Sequence, residues 1–205
     1  MVVDNFKYLG SQMESSERDV NARIGLAWGA FRKLRTVLSS PKLSVGLRTR
    51  IFQASCISVL LYGCETWILT KTLANKLDVY ARACYRIMLG INQKQDHVSN
   101  EDLYKRVRQE PISDTINLRQ IQFTGHCLRM ATDEPVHRFL FYESNIKDRL
   151  RQGKPRKTYR QQISALIAPG VPTLSYEEIQ AYAKDRNVWE LHFVVPRQKK
   201  HPDIF

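Results

Sequence analysis

The chain has 205 residues, 43% of them hydrophobic and 10% aromatic, with a formal net charge of +12 and an isoelectric point near 9.7. That apolar fraction supplies a core and excludes a disordered tail, and the length suits one or two domains. The positive excess points to a polyanionic partner, because Lys and Arg release counterions condensed on phosphate backbones. Residues 1–12 include Asp4 and Lys7 and lack the apolar run of a signal peptide. Residues 51–69 are interrupted by Gln53, Ser55, Ser58, Glu65 and Thr66, so they read as a buried helix rather than a membrane span. The expected location is intracellular, nuclear or cytoplasmic.

The first element is "FKYLGSQM" (6–13), where Phe6 and Tyr8 alternate with Lys7 before Gly10 and Ser11 break the pattern. This reads as a short strand running into a turn. A lone strand needs a partner, so either a preceding strand is missing or the stretch is an N-terminal arm. Val20, Ile24, Ala27, Trp28, Phe31, Leu34 and Leu38 then recur at helical spacing, with Arg23, Arg32, Lys33 and Arg35 largely off the stripe. Ser16 and Asp19 form a capping box at its start, and Ser39-Ser40-Pro41 closes it. A second helix is expected over 44–69, apolar on most sides and therefore the hub. A third carries Leu73, Leu77, Tyr80, Ala81, Cys84 and Leu89 and stops at Gly90.

"NQKQDHVSN" (92–100) reads as a linker to a second helical unit, with helices over 100–108 and 112–131 and a short apolar segment at 135–142. "IKDRLRQGKPRKTYR" (146–160) holds seven Lys/Arg and one Asp, half of the formal charge, and Gly153 and Pro155 prevent a continuous helix there. A short helix (158–167), the turn "PGVPT" and a helix capped by Ser175 and Glu178 lead to Trp189 and a basic tail. The fold class is mainly α: a helical bundle followed by a second small helical unit, with at most a short N-terminal β-strand or hairpin. The expected divisions are 1–14, 15–91, 92–145 and 146–205.

Several collinear pieces carry a resemblance. "FKYLGS" (6–11), "RIGLAWGAFRKL" (23–34), "LLYGCETWILT" (60–70), "GHCLRM" (125–130), "GKPRKTYRQQI" (153–163) and "EEIQAYAKDRNVWELHFV" (177–194) follow one another. Together they resemble the C-terminal third of endonuclease/reverse transcriptase polyproteins from non-LTR (LINE-type) retrotransposons. The most specific piece is Tyr62-Gly63-Cys64-Glu65-Thr66-Trp67. The resemblance implies that Tyr8, Leu9 and Gly10 are a remnant of the palm's primer-grip strand and that residues 15–91 are the thumb. It implies that 92–205 are a C-terminal extension, and that Tyr62, Gly63, Cys64, Glu65, Trp67, Gly125 and His126 form structural motifs. The family's Tyr-x-Asp-Asp carboxylates, which hold two Mg²⁺ for phosphoryl transfer, have no counterpart, because the sequence contains no Asp-Asp dipeptide. The expectation is a fragment without catalytic residues and without a cofactor of its own, Mg²⁺ belonging to the missing palm of the parent RNA-directed DNA polymerase.

Other chemistry is weakly supported. Cys56, Cys64, Cys84 and Cys127 form no CxxC pair, so buried reduced thiols are a better reading than zinc ligands or nucleophiles. Glu65, on an apolar helix, needs a partner such as Arg82 or Arg86. Gly125 permits close packing, His126 bonds across that gap, and Arg129 points toward solvent or nucleic acid as a further binding candidate. The basic residues are the functional candidates. Arg149, Arg151, Lys154, Arg156, Lys157 and Arg160, with Tyr142 and Tyr159, suit single-stranded nucleic acid. Arg32, Lys33 and Arg35, with Arg48 and Arg50, would line a duplex-facing side. The expected partners are RNA, RNA–DNA hybrid or DNA, together with the missing palm and fingers, and no membrane. The rivals are a helical DNA-binding or protein-interaction module without polymerase ancestry and a stand-alone nuclease.

Overall fold

The computed structural model describes residues 7–8, 11–12, 15–142 and 157–194. They are mainly α-helical and group into two compact units. Of the described residues, the first contains those up to Cys64 with Leu69–Ile116, and the second contains Glu65–Ile68 with those from 117 to 194. Among the described residues no helix is long and apolar enough to cross a membrane.

In the first unit, β1 (Lys7–Tyr8) pairs antiparallel with β2 (Ser11–Gln12), Lys7 opposite Gln12 and Tyr8 opposite Ser11. The strand pairs with the residues just after it, forming the short N-terminal hairpin that the sequence reading allowed. Helix α1 (Ser16–Leu38) is capped by Ser15 rather than Ser16, its Oγ accepting the Glu17 N–H at 3.2 Å. Glu17 and Asp19 complement the helix dipole in the first turn. Val20, Ala27, Phe31 and Leu38 are buried, as the periodicity requires.

The helix expected over 44–69 ends early. Helix α2 (Val45–Phe52) is capped by Ser44, widens into a π turn at Gln53–Ile57, and finishes as α3 (Ser58–Leu60). Ser55 and Ser58 donate to the carbonyls of Ile51 and Ala54, at 2.5 and 2.6 Å, competing with the main-chain ladder. Gly63 at φ 75° then turns the chain into a conformation disfavoured by any β-carbon, and Cys64–Thr66 form a 3₁₀ turn. Helix α4 (Lys71–Leu89) starts at its Thr70 cap and stops at Gly90 in the left-handed region, where Ile91 donates back to Arg86 at 2.9 Å.

Aromatic rings hold this unit together. Trp28 meets Tyr80 edge-on at 5.0 Å, Phe31 meets Phe52 at 6.0 Å, and Phe52 meets Tyr85 at 5.3 Å. The stretch read as a linker instead carries α5 (Gln93–Asp96), capped by Asn92, and the start of α6 (Asn100–Val107), capped by Ser99. Asp78 accepts the backbone N–H and the hydroxyl of Ser113, at 3.0 and 2.9 Å, and so caps the first turn of α7 (Ile112–Leu128). The division between units falls inside α7, at Ile116/Asn117, rather than at residue 92.

The second unit packs the rest of α7 with α8 (Pro135–Phe139), α9 (Tyr159–Ile167), α10 (Tyr176–Lys184), α11 (Arg186–Trp189) and a π turn at Glu190–Val194. Two capping boxes close here, the Ser175–Glu178 box read from the sequence and a further one of Thr158 with Gln161. Leu118, Ile121, Ile163, Ile167, Ile179, Trp189 and Phe193 form its core. The tetrapeptide Glu65–Ile68 is bound into this unit through its carbonyls. Trp67 O accepts from Gln120 at 2.8 Å and Gln162 at 3.2 Å, and Tyr159 donates to Glu65 O at 2.8 Å. Gln162 also donates to Gln120 Oε1 at 2.5 Å, so both amides are satisfied in the interior.

Candidate nucleic-acid interface

From Val20 to Cys64 the sequence contains no Asp or Glu, yet it holds Arg23, Arg32, Lys33, Arg35, Lys42, Arg48 and Arg50. Arg32, Lys33, Arg35, Lys42 and Arg50 are exposed. The other two are withdrawn from the surface. Arg23 lies 3.7 Å from Asp19 and 4.5 Å over the Tyr62 ring. Arg48, expected on the duplex-facing side, is buried, and its guanidinium donates to the Met88 carbonyl, serving the C-terminal end of α4 where cations are favoured.

Gly25, Gly29, Arg32, Lys33 and Thr36 recur at spacings of three and four and share one side of α1. Glycine inside a helix costs about 1 kcal/mol relative to alanine, normally offset where a close neighbour needs the space. Here a β-carbon at Gly25 or Gly29 would meet nothing within 4 Å. The two glycines thus open a shallow strip beside Arg32 and Lys33 that no part of the described fold fills.

The second unit carries a different surface. Arg138, Phe141, Arg160 and Tyr176 line a cavity of about 240 Å³. The Arg138 guanidinium lies 5.9 Å over the Phe139 ring, and Phe139 meets Tyr142 edge-on at 5.7 Å. Phe139 and Tyr142 are 58% and 65% exposed. Lys157 is exposed, whereas Tyr159 is committed to packing, its hydroxyl on Glu65 O and within 3.2 Å of Thr124 Oγ1. Its ring is half-buried and lies 6.1 Å from that of Phe141. Arg149, Arg151, Lys154 and Arg156 lie outside the described residues, as do Leu9 and Gly10, and for Tyr8 only the backbone is described. Arg138 and Phe139 were missed by sequence reading; "HRFLFY" (137–142), with three aromatics beside an arginine, was the available signal.

The remaining candidates lie elsewhere in the fold. Cys56, Cys64, Cys84 and Cys127 are buried and form no disulfide among the described residues; burial pushes Cys84 up to about 12 and Cys127 up to about 11. Thiols so raised are poor nucleophiles at neutral pH. Glu65 sits in the 3₁₀ turn, not on a helix, and pairs with Arg119 at 3.9 Å rather than with Arg82 or Arg86. Gly125 does permit close packing, because a β-carbon there would lie 2.7 Å from Cδ1 and Cε2 of Trp189. His126 is exposed instead of bridging that contact, and Arg129 donates to the Ala183 carbonyl at 3.2 Å. Among the described residues no group of three or more His, Cys, Asp or Glu is gathered as a metal ion would require.

Comparison with known proteins gives an uncharacterized transposon-derived protein of Caenorhabditis elegans, 26% identical over 136 residues, which are 62% of this chain and 47% of the relative. The chain spans about half the length of that relative. No family model matches the chain, and no solved structure matches it.

Proposed function

We propose that this chain is the thumb and C-terminal extension of a non-LTR retrotransposon reverse transcriptase, binding template–primer through its basic surfaces while the palm of a complete enzyme performs nucleotide addition. The similarity to a transposon-derived protein supports a transposon origin, and the collinear motifs from "FKYLGS" to "EEIQAYAKDRNVWELHFV" support the finer assignment. The observation that carries the binding role is the carboxylate-free span from Val20 to Cys64, whose exposed cations accompany the open Gly25–Gly29 strip on α1. A helix side without β-carbons lets a sugar-phosphate backbone approach the main chain closely, and the flanking Arg and Lys supply sequence-independent affinity. Arg138, Phe139 and Tyr142 add a cation–aromatic surface suited to unpaired bases.

Two experiments test this. Retention of RNA, RNA–DNA hybrid and duplex DNA by the full chain is measured at several salt concentrations; preference for hybrid or RNA supports the thumb. One preferred duplex sequence would instead favour a DNA-binding regulator, and no binding at low salt a protein-interaction module. In the second, Gly25→Ala with Gly29→Ala raises helix stability by about 1–2 kcal/mol in total while weakening hybrid binding at least fivefold. A double variant that is stabilised yet binds as well as the parent removes the strip from the interface.

A further inference from the structure

A second cavity, distinct from both basic surfaces, lies in the second unit. It has a volume of about 360 Å³ and is lined by Gln122, His126, Arg129, Arg186, Trp189, Glu190 and Val194. That size is at the lower end of small-ligand pockets, roughly 300–1,000 Å³. Gln122 and His126 stand at i and i+4 on α7 with Arg129 in the turn just past its end, and Arg186 and Trp189 on α11 face them with Glu190 at the start of the π turn. Both sets of side chains line the same space. The base of the cavity is fixed: the Trp189 indole lies against Gly125, and its Nε1 donates to Ile121 O at 3.1 Å.

We infer that this cavity is a binding site for a phosphate group, of the size of inorganic phosphate up to a nucleoside monophosphate, with Arg129 and Arg186 as the anion-binding pair and His126 and Gln122 as further donors. Arg129 is held in place by its bond to the Ala183 carbonyl, made through Nη1 alone. Arg186 is held by Glu190 at 2.7 Å through Nε, which leaves its terminal nitrogens on the outer side of the fork. Glu190 adds one negative charge, so the two guanidinium groups leave the lining net positive before any proton on His126. The two cations feel one another: the Arg129 guanidinium is lowered from its ordinary value by burial and then by the positive charge of Arg186, with Glu190 opposing. An incoming dianion removes that repulsion, and planar guanidinium forks match phosphate oxygens in pairs.

The test uses the full chain in phosphate-free buffer, titrated by NMR with inorganic phosphate, adenosine 5′-monophosphate and adenosine. The expected result is movement of the Gly125 and Arg129 amides and the Trp189 indole N–H with both phosphate-bearing probes and none with adenosine. Equal affinity for the two phosphates assigns the phosphate alone; tighter adenosine 5′-monophosphate assigns a nucleotide. Arg186→Gln, at an exposed side chain, leaves the fold intact by circular dichroism and lowers phosphate affinity at least tenfold, and retention of RNA–DNA hybrid by the α1 face stays within twofold. Binding of adenosine as tight as its 5′-phosphate, absence of any phosphate response, or a response undiminished in Arg186→Gln, overturns the inference. None of these results bears on the thumb assignment, which is read from hybrid retention.

Discussion

Helices α1 and α7, 23 and 17 residues long, put their polar side chains to opposite uses. In α1 the apolar stripe faces inward, Arg32, Lys33 and Arg35 face outward, and two glycines on the outward side support no packing. In α7 two polar residues point inward: Gln120 and Thr124 are fully buried, and Gln120 joins Gln162 in holding the Trp67 carbonyl. A helix face that presents charge to solvent is a candidate for meeting something else, whereas a helix face that commits its polar groups to the interior is scaffold. Function and stability should therefore separate between them under mutation.

The largest expected loss is at the scaffold. Trp189→Ala removes an almost completely buried indole and its bond to Ile121 O, and should destabilise the second unit by about 3–5 kcal/mol in urea denaturation. A loss under 1 kcal/mol would mean that this core is not organised around the Gly125–Trp189 contact. Gln162→Leu comes next, at about 1–3 kcal/mol, because it leaves the buried Gln120 Oε1 without its donor; the same denaturation series reads it.

Asp78 sharpens the comparison through pH. Burial raises its carboxyl above the ordinary carboxylate value, more than the Ser113 bonds and the Arg82 charge lower it. A carboxyl raised in the folded state takes up a proton on folding. Its contribution to stability is therefore full below the unfolded value near 3.8 and falls as pH rises through the raised folded value. The stability of the parent relative to Asp78→Asn should decline on going from about pH 4 to pH 7, measured as the difference between two urea series. A difference independent of pH would show that the carboxyl is not perturbed.

Much of α1 was legible because amphipathic periodicity is strong when one side is buried and the other wet. The Gly90 stop and the Ser175–Glu178 capping box were legible because each follows from local chemistry. Position 44–69 misled because apolar composition continues past Leu60, while the break comes from one left-handed glycine, Gly63, and from serine hydroxyls that compete for carbonyls. The membership of Glu65–Ile68 in the second unit was invisible, since it depends on Gln120, Tyr159 and Gln162, far away in sequence. Arg48 looked like a surface cation because sequence does not reveal that the end of α4 lies beside it. The Arg129–Arg186 cavity likewise needs two segments brought together by folding.

The most direct measurement is the salt dependence of hybrid binding by the full chain and by the triple variant Arg32→Gln, Lys33→Gln, Arg35→Gln. All three side chains are exposed, so stability should stay within about 0.5 kcal/mol per site. Each lost phosphate contact should reduce the slope of log K against log salt by about one, giving a slope shallower by about three and weaker binding to every sequence alike. An unchanged slope and affinity in a folded triple variant would contradict the claim that α1 is the face that grips nucleic acid.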